Sequence, residues 1–404
     1  DGVAITPQGG NTGLVGGQVP QGEILLSTDR MRAIRDIDVD DDAIVVEAGV
    51  PLAVVQQAAA DAGRRFPLSL ASEGTATIGG LISTNAGGTQ VLRYGTMRSL
   101  VLGLEAVLPN GEIWNGLKRL RKDNTGYDLK QLLIGGEGTL GVITAASLKL
   151  FPVLASRAVA IVGLASPAEA VTLLGRAKAE SGGQVEAFEL MGRQGVEFTL
   201  RNIEGTRDPL DRPYPWIVLI EIASGEPGGA EAALERTLTA ALEDGLIADA
   251  AVAQTQAQAQ AMWSLRENMN FGQKPEGSSW KHDISVPVSL TPQFIAEADA
   301  ALLARWPTLR IVAFGHIGDG NIHYNITRPA DGTDAEHDAN RDAAGEIVHD
   351  IAASLNGSIS AEHGLGVMKT EEALRYKSDV EVAANRAIRA ALDPKRIMNP
   401  RVLF

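Results

Sequence analysis

Residues 7–17 read Pro-Gln-Gly-Gly-Asn-Thr-Gly-Leu-Val-Gly-Gly, and this stretch carries the clearest indication of how the N-terminal part of the chain folds. Glycine lets the backbone approach a ligand closely, so that several N–H groups can converge on a pyrophosphate. The two commonest phosphate loops are excluded, because no Lys-Ser/Thr follows the glycines and no Gly-x-Gly-x-x-Gly enters a helix. The alternative interpretation of the stretch is a flexible loop.

Two further glycine-rich segments favour the ligand-binding interpretation. Residues 72–80 read Ser-Glu-Gly-Thr-Ala-Thr-Ile-Gly-Gly and run on to Thr-Asn-Ala-Gly-Gly at 84–88. Residues 135–144 read Gly-Gly-Glu-Gly-Thr-Leu-Gly-Val-Ile-Thr. Three separate segments whose backbones can approach a ligand indicate that one long ligand spans all of them.

Composition narrows the class of protein. A length of 404 residues predicts two to three domains, and a hydrophobic fraction of 45% is ample for a sizeable core. The net charge of −14 opposes binding to nucleic acid or to an anionic membrane. No apolar run approaches the ~20 residues that cross a bilayer, and the start, Asp1-Gly2-Val3-Ala4, lacks the features of a signal segment. The expected location is therefore the cytoplasm.

The absence of cysteine restricts the chemistry. It excludes disulfides, thiolate nucleophiles, cysteine-ligated zinc and iron–sulfur clusters from this chain. A metal site must use His, Asp or Glu, and electron transfer must depend on an organic cofactor or on a partner protein.

The glycine content and the predicted secondary structure of the sequence change after Phe151-Pro152. Before this point it is glycine-dense and strand-like, with one amphipathic helix predicted over 51–63. After it, strands and helices alternate. Strands are predicted at 157–164, 185–191, 215–222, 247–253 and 281–287, and helices at 167–181, 228–244, 256–269, 292–306 and 335–355.

Residues 314–325 read Phe-Gly-His-Ile-Gly-Asp-Gly-Asn-Ile-His-Tyr-Asn and contain two of the six histidines. A hairpin turn centred on Asp319-Gly320 would place His316 directly opposite His323, with Cβ atoms ~5 Å apart on one face. Two imidazoles at that spacing could hold a divalent metal, with Glu362 as the third ligand. The alternative interpretations are a decorated hairpin and, for Glu362-His363, a surface loop.

The glycine segments, together with Arg93-Tyr94-Gly95 and the stretch 123–129 (Asp-Asn-Thr-Gly-Tyr-Asp-Leu), resemble the FAD domain of the vanillyl-alcohol oxidase and p-cresol methylhydroxylase flavoproteins. Within that superfamily the hairpin motif, Glu362-His363-Gly364 and residues 392–400 resemble the FAD-linked D-2-hydroxyacid dehydrogenases. The resemblance implies an α+β protein with a two-part FAD-binding domain and an α+β substrate (cap) domain built on a large antiparallel sheet.

The resemblance also implies domain limits and cofactor contacts. The FAD-binding domain would span 1–152 and be incomplete at its N-terminus, the cap domain with the metal site would span 153–390, and 391–404 would return to the FAD domain. Arg401 departs from the glycine that usually follows the family's terminal Asn-Pro. The implied FAD contacts are Pro7, Gly9, Gly10, Asn11, Thr12, Gly13, Leu14, Gly74, Thr77, Ile78, Gly79, Gly80, Thr84, Asn85, Glu137, Gly138, Gly141, Val142, Ile143 and Asn399.

Non-covalent attachment of FAD is predicted from the residues available. Relatives that attach FAD covalently use His or Cys, whereas this chain has no Cys and no His before His282. The metal ligands would be His316, His323 and Glu362, a set that suits zinc, although manganese, cobalt or iron would also bind.

Oxidation of a 2-hydroxy acid needs a base for the hydroxyl proton and anchors for the carboxylates. His363 is the expected base, acting beside the metal ligand Glu362 if the backbone kinks at Gly364. Arg266 and Lys281 are the substrate cations that the resemblance indicates, although a lone Arg or Lys is more often a surface charge. Asn325 is a further substrate contact, with Asn270, one turn after Arg266, as a weaker one.

The predicted reaction is oxidation of a D-2-hydroxy acid to the 2-oxo acid by hydride transfer to flavin N5. D-2-hydroxyglutarate is the expected substrate because two cations favour a diacid, and D-lactate or D-malate is the alternative. A flavin oxidase and a non-catalytic FAD-fold subunit are further alternatives. The resemblance implies an electron-transferring flavoprotein or a quinone as acceptor, and a homodimer is one candidate assembly.

Overall fold

The computed structural model describes residues 2–403, so that Asp1 and Phe404, which close the predicted domain ranges, lie outside the described residues. Residues divide into two compact units. The first comprises residues up to Gln90, Tyr94–Val153 and Glu362 onward, and the second comprises Val91–Arg93 and Leu154–Ala361. No helix within 2–403 has the length and hydropathy needed to cross a membrane.

The first unit begins with short strands and helices joined by glycine-rich loops. Its strands are Ile5–Gln8 (β1), Ile24–Ser27 (β2), Ile34–Asp38 (β3), Ala43–Glu47 (β4), Arg64–Arg65 (β5), Val101–Val107 (β6), Ile113–Gly116 (β7), Val142–Lys149 (β8) and Phe151–Pro152 (β9). The helices in this part of the chain are Leu52–Asp61 (α1), Ile78–Ser83 (α2), Val91–Tyr94 (α3), Met97–Leu100 (α4) and Lys130–Leu133 (α5). The first three residues of α3 belong to the second unit.

An antiparallel sheet of five strands, in the order β3-β4-β8-β6-β7, forms the centre of the first unit. Strands β1 and β2 form a separate parallel pair, and β5 pairs with β9. Helix α1 packs Leu52, Val55 and Ala59 into the core of this unit, as its predicted apolar face requires.

The second unit alternates strands with helices. Its strands are Ser156–Leu164 (β10), Val185–Gly192 (β11), Trp216–Ser224 (β12), Asp249–Val252 (β13), Ser279–Ser285 (β14), Arg310–Gly315 (β15) and Asn321–Thr327 (β16). Its α-helices after residue 154 are Pro167–Glu180 (α6), Arg193–Asn202 (α7), Gly229–Glu243 (α8), Gln256–Glu267 (α9), Met269–Gly272 (α10), Thr291–Arg305 (α11), Asp334–Asp338 (α12) and Arg341–Ser354 (α13).

All seven strands of the second unit form one antiparallel sheet in the order β13-β10-β12-β11-β15-β16-β14. Helices α6, α8, α11 and α13 cover one face, and α7, α9 and α10 cover the other. Strand β10 is buried on both sides, because Ala160 and Val162 pack into the first cluster while Val159 and Ile161 pack into the second. This two-sided burial explains why the strands appear as nearly continuous apolar runs.

Capping by Ser or Thr side chains accounts for the start of several helices, among them α6, α9 and α12. Helix α6 begins where Ser166 accepts a hydrogen bond from the Glu169 amide and Pro167 occupies the first turn. The predicted helix 335–355 is broken into α12 and α13, next to His337. The ring of His337 stacks on Trp280 at 3.6 Å and contacts the Ile326 carbonyl oxygen at 3.0 Å. Helix α7 carries no signal that the sequence interpretation used, and it was missed.

The C-terminal part of the first unit contains helices Thr370–Tyr376 (α14) and Asp379–Leu392 (α15). Arg389 on α15 donates to the backbone carbonyls of Met398 and Val402, which fixes the tail. The sequence interpretation placed the return to the FAD domain at 391, whereas the return occurs at Glu362. Glu137 of the first unit accepts hydrogen bonds from the amides of Leu365 and Gly366, which explains the earlier boundary.

Candidate active site

Four polar residues share one face of the sheet at its β14 edge. Lys281 pairs with Asn325 across β14 and β16, and Asp283 pairs with His323. Directly opposed residues point to the same face of a sheet, and residues two apart on a strand do so as well. We refer to Lys281, Asp283, His323 and Asn325, with the neighbouring His316, as the polar corner.

The predicted pairing of His316 with His323 is wrong in register. His323 lies opposite Phe314, and β15 ends at Gly315, so that His316 belongs to a five-residue connection. Hydrogen bonds from the Ile317 amide to the Gly315 carbonyl and from the Asp319 amide to the His316 carbonyl turn the chain before the strand can reach His316.

The shorter strand still brings the two histidines together. The ring centroids of His316 and His323 are 5.5 Å apart, and the rings are nearly perpendicular. Tyr324, the next residue on β16, points to the opposite face and is fully buried.

The three predicted metal ligands converge. One ligand atom from each of His316, His323 and Glu362 lies within 4.8 Å of the others. The segment before Glu362 runs beside β14, with Ser358 paired to Ser285 and the Ala361 amide donating to the Asp283 carbonyl. Two imidazoles and a carboxylate fit a divalent cation and leave coordination positions open for a substrate.

Each histidine of this group has a carboxylate beside its Nδ1 atom. His316 Nδ1 lies 2.7 Å from Oε1 of Glu189, and His323 Nδ1 lies 3.5 Å from Oδ1 of Asp283. A carboxylate at Nδ1 favours the tautomer in which Nε2 is unprotonated, which is the form that binds a metal. This arrangement therefore orients both rings for metal coordination through Nε2.

Glu189 is a buried carboxylate with two cationic or donor partners. Burial alone would raise its pKa, but the neighbouring His316 ring and the Arg266 guanidinium outweigh burial and hold the pKa at about 2. Glu189 is therefore ionised across the physiological pH range, and its charge is compensated inside the protein.

Arg266 is engaged by Glu189 along one edge of its guanidinium. Its Nε donates to Oε2 of Glu189 at 2.8 Å, its Nη2 lies 2.7 Å from the same oxygen, and the residue is only 7% exposed. A contact between Arg266 and a substrate carboxylate, as predicted, would use the other edge, which Nη1 and the second N–H of Nη2 form.

Asn325 and Lys281 lie in contrasting environments. Asn325 is buried and donates through Nδ2 to Oε1 of Gln273, and the Nε2 of Gln273 in turn donates to the Met269 carbonyl. This chain of hydrogen bonds fixes which way the Asn325 amide points. Lys281 is exposed, and partial desolvation of its ammonium, with the charge of Lys274, lowers its pKa.

The other two predicted residues are Asn270 and His363. Asn270 is exposed on the short helix α10. Because α9 ends at Glu267, Arg266 and Asn270 do not lie one turn apart on a continuous helix, although the sequence had predicted that they would. His363 is half-buried in a bend over 361–363 that precedes Gly364 with φ of +74°. The kink that the proximity of Glu362 and His363 requires is therefore present.

Glu189, Asp283 and Gln273 were missed as site residues. Glu189 stands with one other carboxylate, Glu186, in a strand whose remaining residues are buried and apolar or glycine, and a carboxylate buried in a central strand requires a partner. That requirement was the available signal for Glu189. Asp283 follows Lys281 on the same strand face, whereas nothing in the sequence distinguishes Gln273.

In the first unit, the three glycine segments and the C-terminal tail meet. A Cβ at Gly10 would lie 1.9 Å from the Thr75 carbonyl oxygen, so only glycine allows the first two segments to pack. Asn399 donates from Nδ2 to the carbonyls of Gly17 and Glu137, both at 2.9 Å. We refer to segments 7–17, 72–88 and 135–144 with Asn399 as the glycine cradle.

Two buried polar atoms in the glycine cradle fit a polar cofactor. Within residues 2–403, the Thr77 hydroxyl and the Asn399 amide oxygen are buried without a hydrogen-bond partner. Burial of an unpaired polar atom is costly, and a ligand that bonds to it removes the cost. The close-packed glycine backbone and these two atoms therefore fit the FAD predicted for this region.

Several predicted FAD contacts also form hydrogen bonds within the protein. The amides of Ile78 and Gly79 donate to the carbonyls of Val50 and Ala48. The Asn85 side chain accepts from the Arg98 amide. Glu137 is largely buried, which raises its pKa, and its carboxylate holds the backbone at 365–366.

The remaining predicted contacts lie around these. Gly138 adjoins Pro7, Val142 and Ile143 are buried at the start of β8, and Asn11, Thr12, Gly13 and Leu14 are exposed. Gly9 adjoins Thr77, and Gly74 is exposed. The Gly80 carbonyl accepts a hydrogen bond from the Thr84 hydroxyl, and Gly141 directly precedes β8.

Comparison with known families gives matches along most of the chain. A family model described as FAD binding domain matches residues 1–116, and one described as FAD linked oxidases, C-terminal domain, matches residues 153–403. The predicted FAD-binding domain is confirmed by the first match.

Two D-2-hydroxyglutarate dehydrogenases match this chain over almost all of its residues. D-2-hydroxyglutarate dehydrogenase, mitochondrial, of Arabidopsis thaliana is 38% identical over 402 residues, which cover 98% of this chain and 70% of that protein. D-2-hydroxyglutarate dehydrogenase of Xanthomonas citri pv. viticola is 36% identical over 403 residues, which cover 100% of this chain and 84% of that protein.

Among solved structures, p-cresol methylhydroxylase with substrate bound matches with a TM-score of 0.74 at 15% identity. The match covers 99% of this chain and 84% of that one. The predicted α+β fold, with a p-cresol methylhydroxylase type of FAD domain and a large antiparallel sheet in the cap domain, is confirmed.

Proposed function

This chain belongs to the FAD-linked oxidase family, as its motifs predicted, and we propose that it oxidises D-2-hydroxyglutarate to 2-oxoglutarate with FAD as the hydride acceptor. The family makes it an FAD-dependent oxidoreductase. The substrate and the metal dependence are the proposed parts.

The observation that carries the proposal is the convergence of His316, His323 and Glu362. These residues would hold a divalent metal, which would supply positive charge to lower the pKa of the substrate hydroxyl and to orient a 2-hydroxy acid. FAD held in the glycine cradle supplies a two-electron acceptor at flavin N5.

The residues of this chain have separate tasks in the proposed reaction. His363 removes the proton from the substrate hydroxyl as the hydride leaves C2. Lys281 binds the distal carboxylate, which is the group that distinguishes hydroxyglutarate from lactate. Asn325 holds the substrate near C1 or C2 through an amide whose orientation Gln273 fixes.

The mode of FAD attachment and the metal are inferred from the side chains present, and the electron acceptor is inferred from the family resemblance. FAD is expected to be non-covalent, because no Cys is present and the first His is His282. The metal is expected to be zinc, since the ligands are two imidazoles and one carboxylate. Electrons are expected to leave to an electron-transferring flavoprotein or a quinone.

The substrate is tested by comparing kcat/KM for D-2-hydroxyglutarate, D-malate and D-lactate with an artificial electron acceptor. We expect hydroxyglutarate to give the highest value, and faster turnover of lactate would overturn the assignment. Anaerobic bleaching of the flavin by substrate separates an enzyme from a non-catalytic subunit. Peroxide release in air would indicate an oxidase instead.

A further inference from the structure

Glu189 is the buried group that joins two elements of the second unit. It lies on β11, is 1% exposed, and meets α9 through Arg266 and the β15–β16 connection through His316. The two contacts use different carboxylate oxygens. Oε1 lies 2.7 Å from Nδ1 of His316, while Oε2 accepts from Nε of Arg266 at 2.8 Å.

We propose that Glu189 is a positioning residue that prepares His316 to bind the metal and that Arg266 serves chiefly to hold Glu189 in place. This inference rests on the proposed metal site and adds residues that the sequence did not assign to it. Because His316 lies in a connection and not in a strand, backbone pairing does not fix its ring. The carboxylate of Glu189 fixes it instead.

The tautomer of His316 is the physical core of the proposal. A carboxylate can only accept hydrogen bonds, so Nδ1 of His316 carries the proton, and in the neutral imidazole Nε2 then presents its lone pair. Arg266 donates from Nε to Oε2 and brings Nη2 to 2.7 Å from the same oxygen, so the carboxylate cannot rotate away from His316 without losing a charge-assisted contact.

Glutamine at position 189 would favour the opposite tautomer of His316. Its single carbonyl oxygen would face Arg266, which offers only donors, and its NH₂ group would face Nδ1 of His316. The imidazole would then carry its proton on Nε2, where it cannot ligate. Loss of such an outer contact typically weakens metal affinity about 10- to 100-fold.

A matched control stands on the neighbouring strand. Glu221 on β12 is 3% exposed, accepts from Nε and Nη2 of Arg157 at 2.6 and 2.5 Å, and accepts from Trp263 Nε1 at 2.7 Å. It resembles Glu189 in burial and in pairing with an Arg. Its hydrogen-bond partners within residues 2–403, Arg157 and Trp263, include no histidine, so Glu221→Gln tests the general effect of neutralising a buried carboxylate.

The experiment measures metal binding on purified, FAD-loaded protein that has been stripped of metal. Affinity for Zn²⁺ is determined by competition with a chromogenic chelator, and the absorption spectrum of the Co²⁺-substituted protein reports the ligand geometry. We expect Glu189→Gln to weaken Zn²⁺ affinity about 10- to 100-fold and to change the Co²⁺ spectrum. Glu221→Gln should leave both unchanged, and FAD content checks that each variant is folded.

Glu189→Gln leaves Arg266 without a charged partner and could therefore destabilise the protein. The double variant Glu189→Gln/Arg266→Gln removes both charges and still lacks the carboxylate, so it should show the same weakening. Unchanged Zn²⁺ affinity in either folded variant, with tight binding by the parent protein, overturns the role of Glu189 alone. Absence of metal binding by the parent protein overturns the metal site as well.

Discussion

The glycine cradle and the polar corner prepare for their ligands in opposite ways. The glycine cradle consists largely of backbone, and within residues 2–403 it leaves the Thr77 hydroxyl and the Asn399 amide oxygen buried without partners. In the polar corner, His316 and Asn325 are already bonded to protein partners, Glu189 and Gln273. A ligand should therefore complete the cradle, whereas the corner is organised before its ligand arrives.

The largest expected effect comes from removing a metal ligand in the polar corner. His323→Ala should lower kcat/KM for D-2-hydroxyglutarate by about 10³-fold or more, because the site loses the charge that stabilises the developing alkoxide. Steady-state kinetics and elemental analysis for bound zinc measure the result together.

Tyr324→Phe is the control for that variant, because Tyr324 is the next residue on the strand but faces the opposite side. Its hydroxyl donates to Asp299 at 2.5 Å, so its loss should lower stability and leave the metal in place. Full activity in His323→Ala would contradict the prepared-site interpretation of the corner.

The next effect concerns the proposed base. His363→Ala should lower kcat by about 10²- to 10⁴-fold, since it removes the acceptor of the hydroxyl proton. Unlike His323→Ala, it should retain zinc and FAD at the parent stoichiometry. Partial rescue by added imidazole is expected, and loss of zinc from this variant would indicate a structural role instead.

A smaller effect separates diacid from monoacid substrates. Lys281→Met should lower kcat/KM for D-2-hydroxyglutarate roughly 10- to 100-fold, because it removes a charge-assisted hydrogen bond to the distal carboxylate. The kcat/KM for D-lactate, which has no distal carboxylate, should change little. Equal losses for both substrates would argue against a contact with the distal carboxylate.

The pH dependence of the same contact has a defined sign. Desolvation and the charge of Lys274 lower the pKa of Lys281, so the diacid binds best below that pKa and more weakly as the pH rises through it. Lys274→Met removes the neighbouring charge and should move the alkaline limb of kcat/KM to higher pH. If the alkaline limb does not move, it reports the titration of a group other than Lys281.

The smallest effect tests the glycine cradle. Thr77→Val removes a buried hydroxyl that has no protein partner, so it should weaken FAD binding about fivefold without lowering the stability of the FAD-free protein. Fluorescence titration of the apoprotein with FAD and thermal unfolding measure the two quantities.

Thr237→Val is the matched control, because the buried Thr237 hydroxyl lies outside the glycine cradle and already donates to the Ala233 carbonyl at 2.8 Å. It should lower stability and leave FAD affinity unchanged. If Thr77→Val behaved in the same way as Thr237→Val, the contrast between cradle and corner would fail.

Much of both sites could be predicted from the sequence. Glycine-rich segments indicate close backbone approach wherever they fold, and two histidines with a nearby carboxylate indicate a metal. The strands of the second unit were predicted to within a few residues, because an apolar run buried on both faces is visible without knowledge of its neighbours.

Residue types and local periodicity were thus available from the sequence, because they express backbone freedom, burial and metal-ligand chemistry over short distances. The register of the β15–β16 hairpin, the engagement of Arg266 by Glu189 and the fixing of Asn325 by Gln273 were decided only by the tertiary structure. Glu189 and His316 are 127 residues apart, and a hydrogen bond between them depends on where the sheet and the connection place their side chains. No local pattern records that placement.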